Sequence, residues 1–119
     1  MHSKLTKLAL LPILLSIGSW INLAPKSHLI DYCQVYGNIF LTKKASEADF
    51  VVFVEDSESA ANLVIFEETN SAFANKIGKW NKVQDQAFAD HYIYITKNSS
   101  EADFTIAYTD VESFSGCQK

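Results

Sequence analysis

Between residues 37 and 116, short apolar runs alternate with polar stretches at a nearly constant interval. The string Glu-Ala-Asp-Phe occurs twice, at residues 47–50 and 101–104, and each copy runs into an apolar stretch: Val51-Val52-Phe53-Val54 and Thr105-Ile106-Ala107-Tyr108. Set by that phase, the chain divides into six units of about 13 residues: 37–49, 50–62, 63–75, 76–90, 91–103 and 104–116, the fourth longer by two. The last position of each unit reads Asp49, Asn62, Asn75, Asp90, Asp103 and Gly116, all residues that tolerate turns. The position before it is always small: Ala48, Ala61, Ala74, Ala89, Ala102 and Ser115. The third position, with the longer fourth unit counted back from its end, is always apolar: Ile39, Val52, Ile65, Trp80, Ile93 and Ile106.

Each unit predicts one short strand and one turn. Five or six residues rich in Val, Ile, Phe and Tyr favour a pleated strand. Runs that are apolar on consecutive residues, such as residues 51–54 and 63–66, predict strands covered on both faces. In the Ser-x-Ala-Asp/Asn segment that follows, the serines of the column Ser46, Ser59, Ser100 and Ser113 are expected to cap a single helical turn. The closing Asp or Asn is expected to accept hydrogen bonds from N–H groups of the next strand. Asp49, Asn62, Asn75, Asp90 and Asp103 are therefore read as turn and cap residues. Exchange of Asp for Asn suits turn chemistry and would weaken a hard-cation site. The fold class that follows is mainly β with single-turn helices, a small α+β body of six tandem strand-turn repeats. A short β-solenoid is the alternative, and would need caps at both ends. The fourth unit marks either a topological crossing or a functional loop, and its Trp80 reads as a core anchor.

Six short units with Ala-Asp ahead of strands, Gly78-Lys79-Trp80 in a middle copy and a span of about 80 residues resemble the septoil-knot domain family, small bacterial domains of unknown function. The resemblance covers residues 35–117. It implies a chain tied into a seven-crossing torus knot, a topology that connection rules make rare. Asn62 and Asn75 stand where aspartate is typical, and the last unit ends Ser115-Gly116. No active-site residue is carried over.

The N-terminus has a different pattern. Lys4 and Lys7 precede an apolar run at residues 8–17, with Gly18 and Ser19 behind it, the order of a secretory signal. The organisation predicted is a signal peptide at 1–24, a linker with the first cysteine at 25–34, and a repeat domain at 35–117. Cleavage after Gly18 or Ser19 suits the small-residue preference, and an uncleaved anchor is the alternative. A stretch interrupted by Pro12, Ser16 and Ser19 is poorly suited to cross a bilayer, so no stable membrane span is expected after cleavage. The predicted localisation is exported, periplasmic or secreted. Cys33 and Cys117 are then expected to form a structural disulfide, the alternative being two unrelated buried thiols.

Beyond residue 24 the chain carries eight lysines, no arginine and 14 acids, a net charge near −6. That balance excludes a nucleic-acid partner and disfavours an anionic membrane surface. No nucleophile, metal-ligand spacing or phosphate loop is marked, so no cofactor or metal is expected. The function expected is a non-enzymatic binding or envelope-associated module with an unknown protein or small-molecule partner. Self-association through exposed strand edges would make a homo-oligomer. The alternatives are a calcium-stabilised module and an enzyme using the neighbours Asp90 and His91.

Overall fold

The computed structural model describes residues 30–118. The segment read as a signal peptide, residues 1–24, lies outside the described residues. Seven strands are present among those described: β1 (Gly37–Leu41), β2 (Phe50–Val54), β3 (Leu63–Glu67), β4 (Lys79–Lys82), β5 (His91–Thr96), β6 (Phe104–Tyr108) and β7 (Gly116–Cys117). A three-residue 3-10 turn precedes each: Tyr32–Gln34, Ala45–Glu47, Glu58–Ala60, Ser71–Phe73, Gln86–Phe88, Ser99–Glu101 and Glu112–Phe114. No α-helix occurs among the described residues, so the expected single helical turns are 3-10 turns and the domain is mainly β.

The strands form where the third-position column falls. Ile39, Val52, Ile65, Trp80, Ile93 and Ile106 are all fully buried, and with Leu63, Phe104 and Val35 they make the core. The sheet runs β4-β1-β5-β2-β6-β3, and β3 also pairs β4, so six parallel strands close into a barrel. β7 adds to β3 in the antiparallel sense. Closure leaves the barrel strands no open edge of the kind a solenoid would present at its ends.

Sequence neighbours are not sheet neighbours. β5 lies between β1 and β2, β6 between β2 and β3, β1 between β4 and β5, and β2 between β5 and β6. The chain lays β1, β2 and β3 at alternate places, then fills the gaps with β4, β5 and β6. Parallel strands ordinarily need crossovers of a dozen residues or more. Here stagger replaces length. Leu41, at the end of β1, and Phe50, at the start of β2, both register with Ile93. Val54 and Leu63 likewise both register with Ile106. Each strand thus starts level with the end of the one before it, and a single 3-10 turn bridges the pair.

One step differs. β3 and β4 are direct neighbours, and that single-place step puts the second lap out of phase with the first. The extra residues of the fourth unit precede β4 rather than follow it, so the longer connection is 68–78 and the polar stretch after β4 is of ordinary length. Gly78 in this connection has φ +85°, and a Cβ there would meet the Gly116 amide nitrogen at 2.6 Å and the Val64 carbonyl at 2.9 Å. Only glycine fits that crossing.

The connections pack on the outside of the strands they span: the β1–β2 turn on β5, the β2–β3 turn on β6 and the β5–β6 turn on β2. The small-residue column follows from this contact, and Ala61 and Ala74 are buried. Coverage is partial. In the run 63–66 Leu63, Val64 and Ile65 are buried on both faces as expected, whereas in the run 51–54 the outward Val51 and Phe53 are only half-buried, as are Phe40, Tyr92 and Tyr94 on neighbouring strands. A thin strap over one face is enough to support an aromatic or β-branched outer column without a second layer.

Candidate functional site

The recurring Asp and Asn positions are clamps between laps. Asp90 accepts from the Asn38 amide through Oδ2 at 2.8 Å while its own N–H donates to the Asn38 carbonyl. Asp103 makes the same pair with Val51, Asp49 with Tyr92, and Asn62 with Thr105 through Oδ1. In every case the partner is the second residue of the adjacent sheet strand, 43 or 52 residues away. The expected donor, the next strand in sequence, is displaced from that place because the other lap lies between. Asn75 is exposed and makes no such clamp, since the single-place step removes the intervening strand.

Asn62 uses an amide oxygen where its equivalents use a carboxylate, so the substitution Asp103→Asn is expected to leave stability nearly unchanged. Asp103→Ala should cost about 1–2 kcal/mol, the loss of one charge-assisted bond at a partly solvated site. Urea unfolding of the two variants measures the difference. Equal losses for both would show that the clamp geometry is irrelevant.

The column serines do not cap. Ser46, Ser59, Ser100 and Ser113 are the middle residues of their 3-10 turns and are exposed. Where a side-chain cap exists it comes from two residues earlier, where an Asx side chain reaches forward: Asn70 to the Ala72 amide, Asp85 to Ala87 and Asn98 to Ser100, whereas the turns of Ser46, Ser59 and Ser113 have no side-chain cap. A threonine column was missed. Thr42, Thr96 and Thr109 are buried at strand ends, and each hydroxyl accepts the amide two residues on. Thr42 and Thr96 also donate to Glu47 and Glu101, both at 3.2 Å. The signal lay in the longer string Thr-Lys-x-x-Ser-Glu-Ala-Asp-Phe, which is common to residues 42–50 and 96–104.

Asp90 and His91 do not converge. The carboxylate of Asp90 faces Asn38, whereas the His91 ring packs against Phe50 at 6.0 Å between centroids. Among the described residues no group of three or more His, Cys, Asp or Glu side chains is arranged to hold a metal ion. Trp80 is a core residue whose Nε1 donates to the Val35 carbonyl at 2.7 Å.

Charged groups gather at the β3–β4 seam, where the two laps meet. Lys79, only 7% exposed, pairs with Glu68 at 3.4 Å and with Glu112, and its ammonium lies 5.3 Å from the Phe66 ring centroid. Lys82 pairs with Glu67 at 2.8 Å and lies 4.6 Å from the Tyr108 ring. Burial by itself would lower the Lys79 pKa, but the bonds and charges of Glu112 and Glu68 outweigh it and raise the value. For Lys82 burial is likewise overcome, by Glu67 and Tyr108. Burial raises Tyr108, and the bond from Lys79 lowers Glu112. These are the ion pairs among the described residues, and all lie on one seam. A shallow open cleft of about 420 Å³ borders it, lined by Glu68, Phe73, Asn75, Lys76, Lys79 and Glu112. Lys79 is bound to both of its carboxylates, so the seam offers paired charge and aromatic surface, with no nucleophile at its centre.

Cys33 and Cys117 form a disulfide, with Cα atoms 5.3 Å apart. It ties the N-terminal turn to β7. The Tyr32 hydroxyl reinforces the tie by donating to the Gln118 carbonyl at 3.0 Å, and its ring stacks on Phe104.

A closed barrel of six parallel strands, wound in two interleaved laps and joined near its ends by a disulfide, defines a small class of β domain. The sequence profile of the 7(1) septoil knot domain matches residues 32–118, and the chain belongs to that family. No curated protein and no solved structure matches it.

Proposed function

We propose that the chain is an exported, non-enzymatic binding module of the envelope or extracellular space, made of six successive copies of one unit and tied with seven crossings. The observation that carries the reading is that the recurring acids are spent on the backbone. Asp49, Asp90 and Asp103 each hold an amide of a neighbouring strand, which leaves them poorly placed to move protons or to gather around a cation. The four equivalent clamps and the six buried third positions support the repeat reading. The interleaved laps and the family's description support a knotted path. Export is supported by the order of charged, apolar and small residues at 1–24, and by a disulfide that oxidising compartments preserve.

The test is expression of the full chain in a bacterial host, cell fractionation and intact-mass measurement. The expected product lies outside the cytoplasm, lacks its first 18 or 19 residues and is two hydrogens lighter than the dithiol. A full-length cytoplasmic dithiol would overturn the export reading. Chelator should leave the melting temperature of the purified product unchanged, whereas a fall restored by calcium would replace this reading with the calcium-stabilised one.

A further inference from the structure

The fold sorts its surface. The third residue of each interstrand turn reads, in chain order, Glu47, Ala60, Phe73, Phe88, Glu101 and Phe114. Interleaving changes that order around the barrel. The turn bearing Phe114 lies on β3, and Phe73 lines the cleft at the β3–β4 seam beside Glu112 and Lys79. The turn bearing Phe88 crosses β1, where the Asn38 side-chain amide donates to the Phe88 carbonyl at 3.1 Å. Glu47, Glu101 and Ala60 sit on β5, β2 and β6. Three phenylalanines scattered in sequence thus stand on successive turns around one half of the barrel, an aromatic arc, and the glutamates stand on turns of the other half.

Phe73, Phe88 and Phe114 are 61%, 67% and 60% exposed. At roughly 200 Å² per ring, that is roughly 400 Å² of aromatic surface per copy. Two copies brought together would remove about 800 Å², close to the apolar share of a standard protein–protein interface. Ile77 and Val111, also exposed, stand in the flanking segments.

Charge selects the partner. The described residues carry six lysines and 14 acids. Lys76, Lys79 and Lys82 stand at the centre of the arc with Glu67, Glu68 and Glu112, three against three. Outside that seam three lysines share the surface with eleven acids, Asp85 and Asp90 beside the Phe88 turn and Asp110 before the Phe114 turn among them. Approach of two copies by any other side sets like charge against like. At the seam in the middle of the arc they meet through a balanced patch whose buried charges are already paired. Strand-edge pairing is closed to the six barrel strands and leaves only the two-residue β7 at an edge, so association is side-on. We propose that the aromatic arc over β3, β4 and β1 is a self-complementary interface for a second copy of this chain, related by a two-fold axis. This goes beyond the module reading and does not depend on export.

Sedimentation of the protein purified from cells expressing the full chain tests it. The expected result is a monomer–dimer equilibrium that tightens as salt screens the net negative charge. The double variant Phe73→Ser/Phe114→Ser should weaken dimerisation by about tenfold or more, with the melting temperature of the dilute monomer unchanged because the rings are exposed. Phe88→Ser should weaken it less, and Glu47→Ser/Glu101→Ser on the far side should leave it equal or tighter. A protein that stays monomeric at high concentration and high salt overturns the proposal, as does a dimer indifferent to all three phenylalanines. A monomer that binds phosphatidylcholine vesicles through those rings also overturns it, in favour of a lipid-facing surface.

Discussion

Denatured with its disulfide intact, the protein is expected to refold much faster than after denaturation with the disulfide reduced, and the gap should widen with time spent unfolded. Cys33 precedes β1 and Cys117 follows β6, so the bond closes a ring containing all six barrel strands. If the chain is knotted, crossings inside a closed ring survive denaturation. The oxidised chain then returns without threading, whereas the reduced chain loses its crossings as soon as an end slips free. Ring closure alone also speeds folding. In the chain-entropy model a loop of this size is worth roughly 4–5 kcal/mol. A double-jump experiment separates the two effects: denature the oxidised protein, reduce it in denaturant, wait, and refold. Loop entropy is lost at the moment of reduction and does not depend on the wait. Untying does. Proline isomerisation, the usual source of a delay-dependent slow phase, has no substrate in the barrel, because Pro12 and Pro25 both precede it. A reduced chain whose refolding rate is the same after short and long waits would count decisively against a knotted path.

What the sequence made legible were the features with a local cause. The third-position column marks the core because one inward side chain per short strand has to be apolar, and all six are buried. The Asp/Asn column marks a backbone role because carboxylate and amide alternate there. Its partners were out of reach. The donors to Asp49 and Asp90 lie 43 and 52 residues away, and which strand lies alongside another is decided by stagger and by the single-place step at β3–β4. The serines misled for a related reason. A side-chain cap here has to come from two residues ahead of the turn's middle residue, where Asn70, Asp85 and Asn98 stand, and the turns of Ser46, Ser59 and Ser113 have Lys44, Ser57 and Val111 there and no side-chain cap. The seam was visible only as an irregular fourth unit. That Lys79 and Lys82 would meet Glu67, Glu68 and Glu112 depends on β3 and β4 becoming neighbours, which no pattern within a unit encodes.

The second large effect is expected at Trp80. β4 is the shortest barrel strand, yet it closes the sheet: Trp80 registers with Gly37 of β1 and with Glu67 of β3. Its ring is fully buried, and Nε1 holds the carbonyl of Val35, a core residue two positions from the disulfide. Trp80→Ala should cost about 3–5 kcal/mol for the lost ring and cavity, and about 1–3 kcal/mol more for the orphaned Val35 carbonyl. Small domains hold roughly 5–15 kcal/mol in all, so the alanine variant is expected to fold only while the disulfide is intact. Trp80→Phe keeps most of the apolar volume and loses the donor, which places it between the two in urea unfolding. Hydrogen exchange locates the damage. The Val83, Phe66 and Glu68 amides, which bond across the two β4 boundaries to Ile39, Gly78 and Trp80, should exchange faster in Trp80→Phe, before the amides joining β5 to β2. Uniform acceleration over all six strands would mean that closure is carried by the whole barrel, and that β4 is no weaker a stave than the rest.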